Sequence, residues 1–220
     1  MTNFTIKIIS DNVCPWCYIG KRKLDRAIDL HKKVYPNGKD DTFTLIWSPF
    51  YLDETLPQQS VPLLDRFVQR FGAERAGAFQ GRLRSMGAQE GISFSFAGRI
   101  GNTRDSHRLI QLGKTKGPEV QDRVVMELFR DYFEGTADIT SHEMLVEVGV
   151  KAGLGREEVK EWLETGKGGE EVDAEVQEAK STGIRGVPRY IIQGKYEVDG
   201  AQDPQSFLEV FAKVKDEQQV

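Results

Sequence analysis

Apolar and polar positions alternate at the start of the chain, where Phe4, Ile6 and Ile8 are separated by Thr5 and Lys7. That two-residue period predicts a strand with one buried face. The period then changes. Cys17, Gly20, Leu24, Ala27, Ile28 and His31 recur at helical spacing and predict a helix packed along one stripe. Pro15 suits the first helical position, where its missing N–H breaks no bond, and this places Cys14 at the N-cap. The helix should end before Pro36-Asn37-Gly38. Phe43, Leu45 and Trp47, set among Thr42 and Thr44, then give a second strand that stops near Pro49. The N-terminal third is a βαβ unit, for which a right-handed crossover is expected.

Helical periodicity dominates from about residue 60 to 180. It is clearest over Glu119 to Phe133, where Val120, Val124, Leu128, Phe129 and Tyr132 share a stripe. Thr140 with Glu143 reads as a capping box opening another helix, and Gly153 suits its left-handed end. A charged helix follows from about Glu170 to Lys180. Strand character returns at Tyr190-Ile191-Ile192, turns at Gln193-Gly194-Lys195 and resumes through Val198. A last helix, capped by Asp203 and opened by Pro204, should bury Phe207, Leu208, Phe211 and Val214. No stretch is rich enough in Pro, Gly or Ser to act as a linker. The expected organisation is one α/β domain from residues 1–58 and 181–220, carrying an all-helical insertion over 59–180.

Charge narrows the function classes. Thirty basic against 34 acidic residues leave a net charge of −4, with no push toward nucleic acid or an anionic membrane. The densest basic stretch, Arg99 through Lys116, reads as the solvated face of a helix. No run approaches the ~20 apolar residues of a membrane span. The start shows no signal-peptide pattern, and Asp216 to Val220 carries no lipidation or retention signal. The expected compartment is a reducing cytoplasm, where two cysteines point to redox or metal chemistry rather than to a structural bridge.

Those cysteines lie in Cys14-Pro15-Trp16-Cys17, between the first strand and the first helix. Thiol–disulfide exchange needs a thiolate to attack and a second thiol nearby to resolve the mixed disulfide. An N-cap cysteine faces unpaired backbone N–H groups and the positive end of the helix dipole. Cys14 is therefore expected to be more acidic than a free thiol at about 8.5, with Cys17 shielded one turn on. Cys14 attacks and Cys17 resolves. A closed zinc site would need four ligands, and His31, His107 and His142 lack the spacing to complete one, so no metal is expected. Far along the chain, Gly186-Val187-Pro188 precedes the returning strand. If the sheet closes as described, that loop lies beside Cys14. Asp11 would either relay protons or cap the turn, the cap being favoured. His107 would either reach the cleft or be a satisfied structural histidine, the second being favoured. Trp47 and Phe50 read as core or cleft wall.

Taken together, these segments resemble the DsbA family of thioredoxin-fold oxidoreductases, and within it the FrnE-like branch. The resemblance rests on Ser10 through Lys21, Trp47-Ser48-Pro49-Phe50, Asn102-Thr103 with His107-Arg108-Leu109, Gly183 through Pro188, and Gly200-Ala201-Gln202. It implies a thioredoxin-like fold, a cis Val187–Pro188 bond, and a substrate groove formed by Pro15, Trp16, Val187 and Pro188. It also implies backbone pairing beside the proline with an extended peptide or with glutathione, as redox partner or co-substrate. No bound cofactor is implied, and homodimers occur in the resembling families. Two departures stand out. Extra C-terminal cysteines found in some relatives are missing, which excludes a two-disulfide relay. Arg189 replaces the usual apolar residue, either biasing the site toward acidic substrates or standing as an exposed edge-strand arginine.

The leading expectation is a dithiol–disulfide oxidoreductase acting on protein or small-molecule disulfides. The alternative is a glutathione-dependent isomerase or transferase, of the kappa-class or hydroxychromene-carboxylate isomerase type. Those enzymes place serine where Cys14 stands, and Gly200-Ala201-Gln202 lacks their glutathione-binding Ser-Asp pair. A chaperone using the groove only for binding is a third reading.

Overall fold

The computed structural model describes residues 1–218; Gln219 and Val220, the last residues of the tail read above, lie outside it. Strand β1 (Asn3–Ser10) pairs in parallel with β2 (Thr42–Pro49), in a register running from Asn3 opposite Thr42 to Ser10 opposite Pro49. On the other side of β1 runs β5 (Arg189–Ile192), antiparallel, with Ile6 opposite Ile192 and Ile9 opposite Arg189. The hairpin partner β6 (Tyr196–Asp199) completes the sheet in the order β2-β1-β5-β6. Gln193 and Gly194 both take left-handed backbone angles, and Lys195 N–H closes the turn onto the Ile192 carbonyl, the twist-matched form for a two-residue hairpin.

The central strand buries its two faces unequally, Thr5 and Lys7 staying half-buried on the face of Ile9. Phe4, Ile6 and Ile8 are fully buried on the opposite face. There Phe4 stacks on Phe43 and meets His31 of α1 (Pro15–Val34) and Phe211 of α9 (Pro204–Gln218). Ile9 packs on the other face, with Phe50, Ala179 and Ile184, under α8 (Gly169–Ser181). The stripe from Cys17 to His31 is buried as its spacing predicts. Gly20 permits the closest approach: a Cβ there would stand 2.3 Å from the Tyr190 hydroxyl on β5.

Between β2 and β5 lie α2 (Leu63–Phe71), α3 (Ala73–Gln89), α4 (Arg104–Thr115), α5 (Pro118–Glu134), α6 (His142–Lys151), α7 (Arg156–Glu164) and α8. This block is not wholly helical. Val61–Pro62 (β3) pairs antiparallel with Arg99–Ile100 (β4). The approach to β4 is extended because Ile92, Phe94 and Phe96 are buried while Ser93 and Ala97 face outward, an alternation incompatible with a helix.

Two further expectations are corrected. The stretch around α4 is not a solvated face: Ser106 through Ile110 are buried, and Arg108 is spent on protein groups. Its guanidinium reaches Asp105, the Leu163 carbonyl that the end of α7 leaves open, and the Lys167 carbonyl in the loop beyond. The cap of α6 is Ser141, whose hydroxyl accepts from Met144 N–H, because Asp138 already holds both the N–H and the hydroxyl of Thr140. Gly153 does take the left-handed conformation after that helix.

Candidate active site

Cys14 is the N-cap of α1, with extended backbone angles and Pro15 opening the helix behind it. The turn is closed by main chain: Cys14 N–H donates to the Asp11 carbonyl at 3.1 Å, and Cys17 N–H to the Cys14 carbonyl at 3.0 Å. The first turn of α1 holds no acidic side chain, so the dipole end is not cancelled locally. Both cysteines are free thiols and 1% exposed, so Cys17 is no more shielded from solvent than Cys14, against the sequence expectation. Their surroundings differ. Burial, then the hydrogen bond and charge of Cys14, push the Cys17 thiol well above its ordinary range, with Ser10 and the Asp11 backbone opposing. Cys17 therefore keeps its proton at neutral pH.

The loop before β5 closes on this turn. Val187–Pro188 is a cis peptide, and the Cys14 thiol donates to the Val187 carbonyl at 3.6 Å. The distant Gly186-Val187-Pro188 segment thus lies against Cys14. On its other side Cys14 lines a cleft of ≈ 290 Å³ with Pro15, Trp16, Phe67, Phe71 and Phe79. Arg82 lies over the Trp16 ring at 5.4 Å. Arg66 and Arg70 border the cleft and share the Asp53 carboxylate. Sequence reasoning missed this wall. The pairs Phe67/Phe71 and Arg66/Arg70, each at four-residue spacing on α2, were the signal for it.

Asp11 closes the turn only with its main-chain carbonyl. Its carboxylate is fully buried and points away, accepting from Leu52 N–H at 2.7 Å and standing 3.3 Å from His107 Nε2. Next to it, Asn12 donates to the Ser106 hydroxyl at 2.8 Å. Two consecutive residues of α4 thereby hold the two residues that lead into the cysteine turn. His107 is a partnered buried histidine and does not border the Cys14 cleft. The remaining histidines pair elsewhere, His31 with Asp41 and His142 with Asp105. Trp47 and Phe50 are core residues. Gln121 brackets the Trp47 main chain at 3.0 and 2.9 Å, and Asp122 accepts from its indole N–H. Arg189 is held across the hairpin by Glu197 and Asp199. Two carboxylates already claim that guanidinium, the behaviour of an edge-strand arginine rather than of a free anion binder.

A mixed sheet whose central strand delivers a Cys-x-x-Cys turn to a helix start, facing a proline loop, defines the class: a thioredoxin-fold protein with a dithiol at the helix N-terminus. The DSBA-like thioredoxin domain model matches residues 5–212, and the chain belongs to that family. Among solved structures it is similar to a probable DsbA oxidoreductase from Streptomyces coelicolor, with a TM-score of 0.85 and 29% identity over 97% of this chain and 91% of that one. A 2-hydroxychromene-2-carboxylate isomerase shares the fold with a TM-score of 0.67 and 16% identity, over 98% and 97% of the two chains. The cytosolic disulfide reductase DsbM from Pseudomonas aeruginosa does so with a TM-score of 0.55 and 19% identity, over 96% and 99%. A search of curated proteins returns no match.

Proposed function

We propose that the protein is a dithiol–disulfide oxidoreductase of the FrnE-like type, in which Cys14 attacks a substrate disulfide and Cys17 resolves the mixed disulfide. The observation that carries this reading is the asymmetry of the pair. Both thiols are buried, but Cys14 lines the cleft and caps the helix start, whereas Cys17 lines no part of that cleft and is held protonated. A protonated inner thiol does not compete for the first attack, and it acts once the mixed disulfide brings a sulfur beside it. Pro15, Trp16, Val187 and Pro188 form the substrate groove in this reading, with glutathione or another thiol restoring the reduced state. Residues 1–58 and 181–220 carry the chemistry, and 59–180 shape access to it. In this reading the protein acts in the cytoplasm, where two cysteines serve as a redox pair rather than as a structural bridge.

The isomerase reading needs a lone activated glutathione thiol, and a second cysteine one turn away works against it by drawing any mixed disulfide into an internal one. Single-cysteine variants test the roles. With a small disulfide, Cys17→Ser should accumulate a stable mixed disulfide at Cys14 by intact mass spectrometry, and Cys14→Ser should form none. Rapid adduct formation at Cys17 in Cys14→Ser would reverse the assignment.

A further inference from the structure

The Cys14 side chain is 1% exposed, yet it borders a cleft of ≈ 290 Å³. A recessed nucleophile is met by a group narrow enough to enter, rather than by a disulfide lying flat on a globular surface. The cleft walls are aromatic and aliphatic: Trp16, Leu52, Phe67, Phe71 and Phe79 among them. Leu52 and Phe71 remain 45% and 47% exposed, an apolar lip that no other part of the described chain covers.

The charge at this mouth is opposite in sign to that of the whole chain. Its lining holds Arg66 and Arg70 against the single acid Asp53, with Arg82 on Trp16, in a protein of net charge −4. Arg66 and Arg70 have one carboxylate, Asp53, between them. Among the described residues, Arg66 Nε is buried at the cleft wall with no hydrogen-bond partner, its terminal nitrogen being held by Asp53 and Thr55, and Arg82 on Trp16 is matched to no carboxylate. Positive groups around an apolar slot select a ligand that is apolar in its body and anionic at its outer end.

Resting on the exchange chemistry proposed above, we infer that the substrate is a small disulfide with an apolar, aryl or hydrocarbon body and a carboxylate or similar anion at its outer end. Its apolar part enters between Trp16 and the phenylalanines, and its anion faces Arg66, Arg70 and Arg82. The Cys14 thiolate attacks one substrate sulfur, the S–S bond breaks, and the first substrate half leaves as a thiolate with the bonding pair. Cys17 then attacks the Cys14 sulfur as its proton is lost to solvent, and the second half leaves as a thiolate. The protein dithiol is oxidised to a disulfide, the substrate is reduced to two thiols, and a dithiol reductant would close a cycle.

The test is a single-turnover rate measurement with reduced protein and four reagents: dithiobis-nitrobenzoate (aryl, anionic), dithiodipyridine (aryl, neutral), oxidised glutathione (polar, anionic) and cystamine (cationic). Dividing each rate by that of a free thiol at the same pH removes the reagent's own electrophilicity. The expected order places the aryl anion first, about tenfold above oxidised glutathione and cystamine. Arg70→Gln should lower the aryl anion by about threefold and spare the neutral aryl reagent. Phe71→Ala should lower both aryl reagents about threefold and spare glutathione disulfide. Both positions are about half exposed, so neither variant threatens the fold. Equal normalised rates for all four reagents, or glutathione disulfide in first place, would overturn the assignment. A Cys14 thiol inert to every reagent would instead overturn the exchange chemistry itself.

Discussion

Glycine at position 20 lets the first helix sit directly on the strand that follows the cis proline. A methyl group there would meet the Tyr190 hydroxyl at 2.3 Å and Pro188 Cγ at 3.1 Å, so the helix that presents the cysteines would be pushed from the proline loop. The Tyr190 hydroxyl has no hydrogen-bond partner among the described residues, so removing it forfeits no bond there. Gly20→Ala should therefore destabilise the protein by about 2 kcal/mol, and Tyr190→Phe should restore part of that loss in the double variant. Urea unfolding of the four proteins makes the cycle. Additive effects would show that the two groups do not meet. Gly20 was legible in the sequence only as a small residue on the buried stripe. Its reason lies on a strand 170 positions away, beyond any local pattern.

At the scale of elements, the cysteine turn is clamped between β1, the segment after β2, and α4. Asp11 accepts from Leu52 N–H and faces His107, while Asn12 reaches Ser106. Asp11→Ala would leave a main-chain donor and a buried histidine without partners, at a cost of about 2 kcal/mol. Its denaturation midpoint should fall accordingly, and an unchanged midpoint would show the clamp to be dispensable. The sheet strands and the helices of the α/β part were readable because their apolar positions keep one period throughout. Elements inside the helical block were less so. Arg108 looked solvent-facing because a buried arginine is revealed only by the distant carbonyls it satisfies. The β3–β4 pair is too short to show a period.

Across the whole molecule, the end of the sheet opposite the cysteines is closed by a buried charge cluster. Asp41 accepts from Thr2 N–H, contacts His31 Nε2 and pairs with Lys215. Burial alone would raise its pKa, but the hydrogen bonds from Lys215, His31 and Thr2 outweigh it and hold the carboxyl at about 2. A depressed carboxyl stabilises the fold above its unfolded pKa of about 3.9, and that contribution is lost as pH falls through the folded value. Unfolding free energy should therefore drop by about 2 kcal/mol between pH 5 and pH 2 through this group. In Asp41→Asn that part of the slope should vanish, as acid titration at fixed urea would read. An unchanged slope would mean that the cluster is not coupled to folding. His31 was legible as a buried helix position, but its acidic partner lies past the turn and was visible only once the chain had folded.

The central claim is that Cys14 and Cys17 form one reversible two-electron couple, and a redox titration against glutathione tests it most directly. Equilibrating the protein across a series of reduced-to-oxidised glutathione ratios, then quenching and weighing it, should show one transition. Its end states should be the dithiol and an internal disulfide two mass units lighter, with a slope of two electrons. A protein that stays reduced throughout, or that gains only a persistent glutathione adduct, would contradict the account.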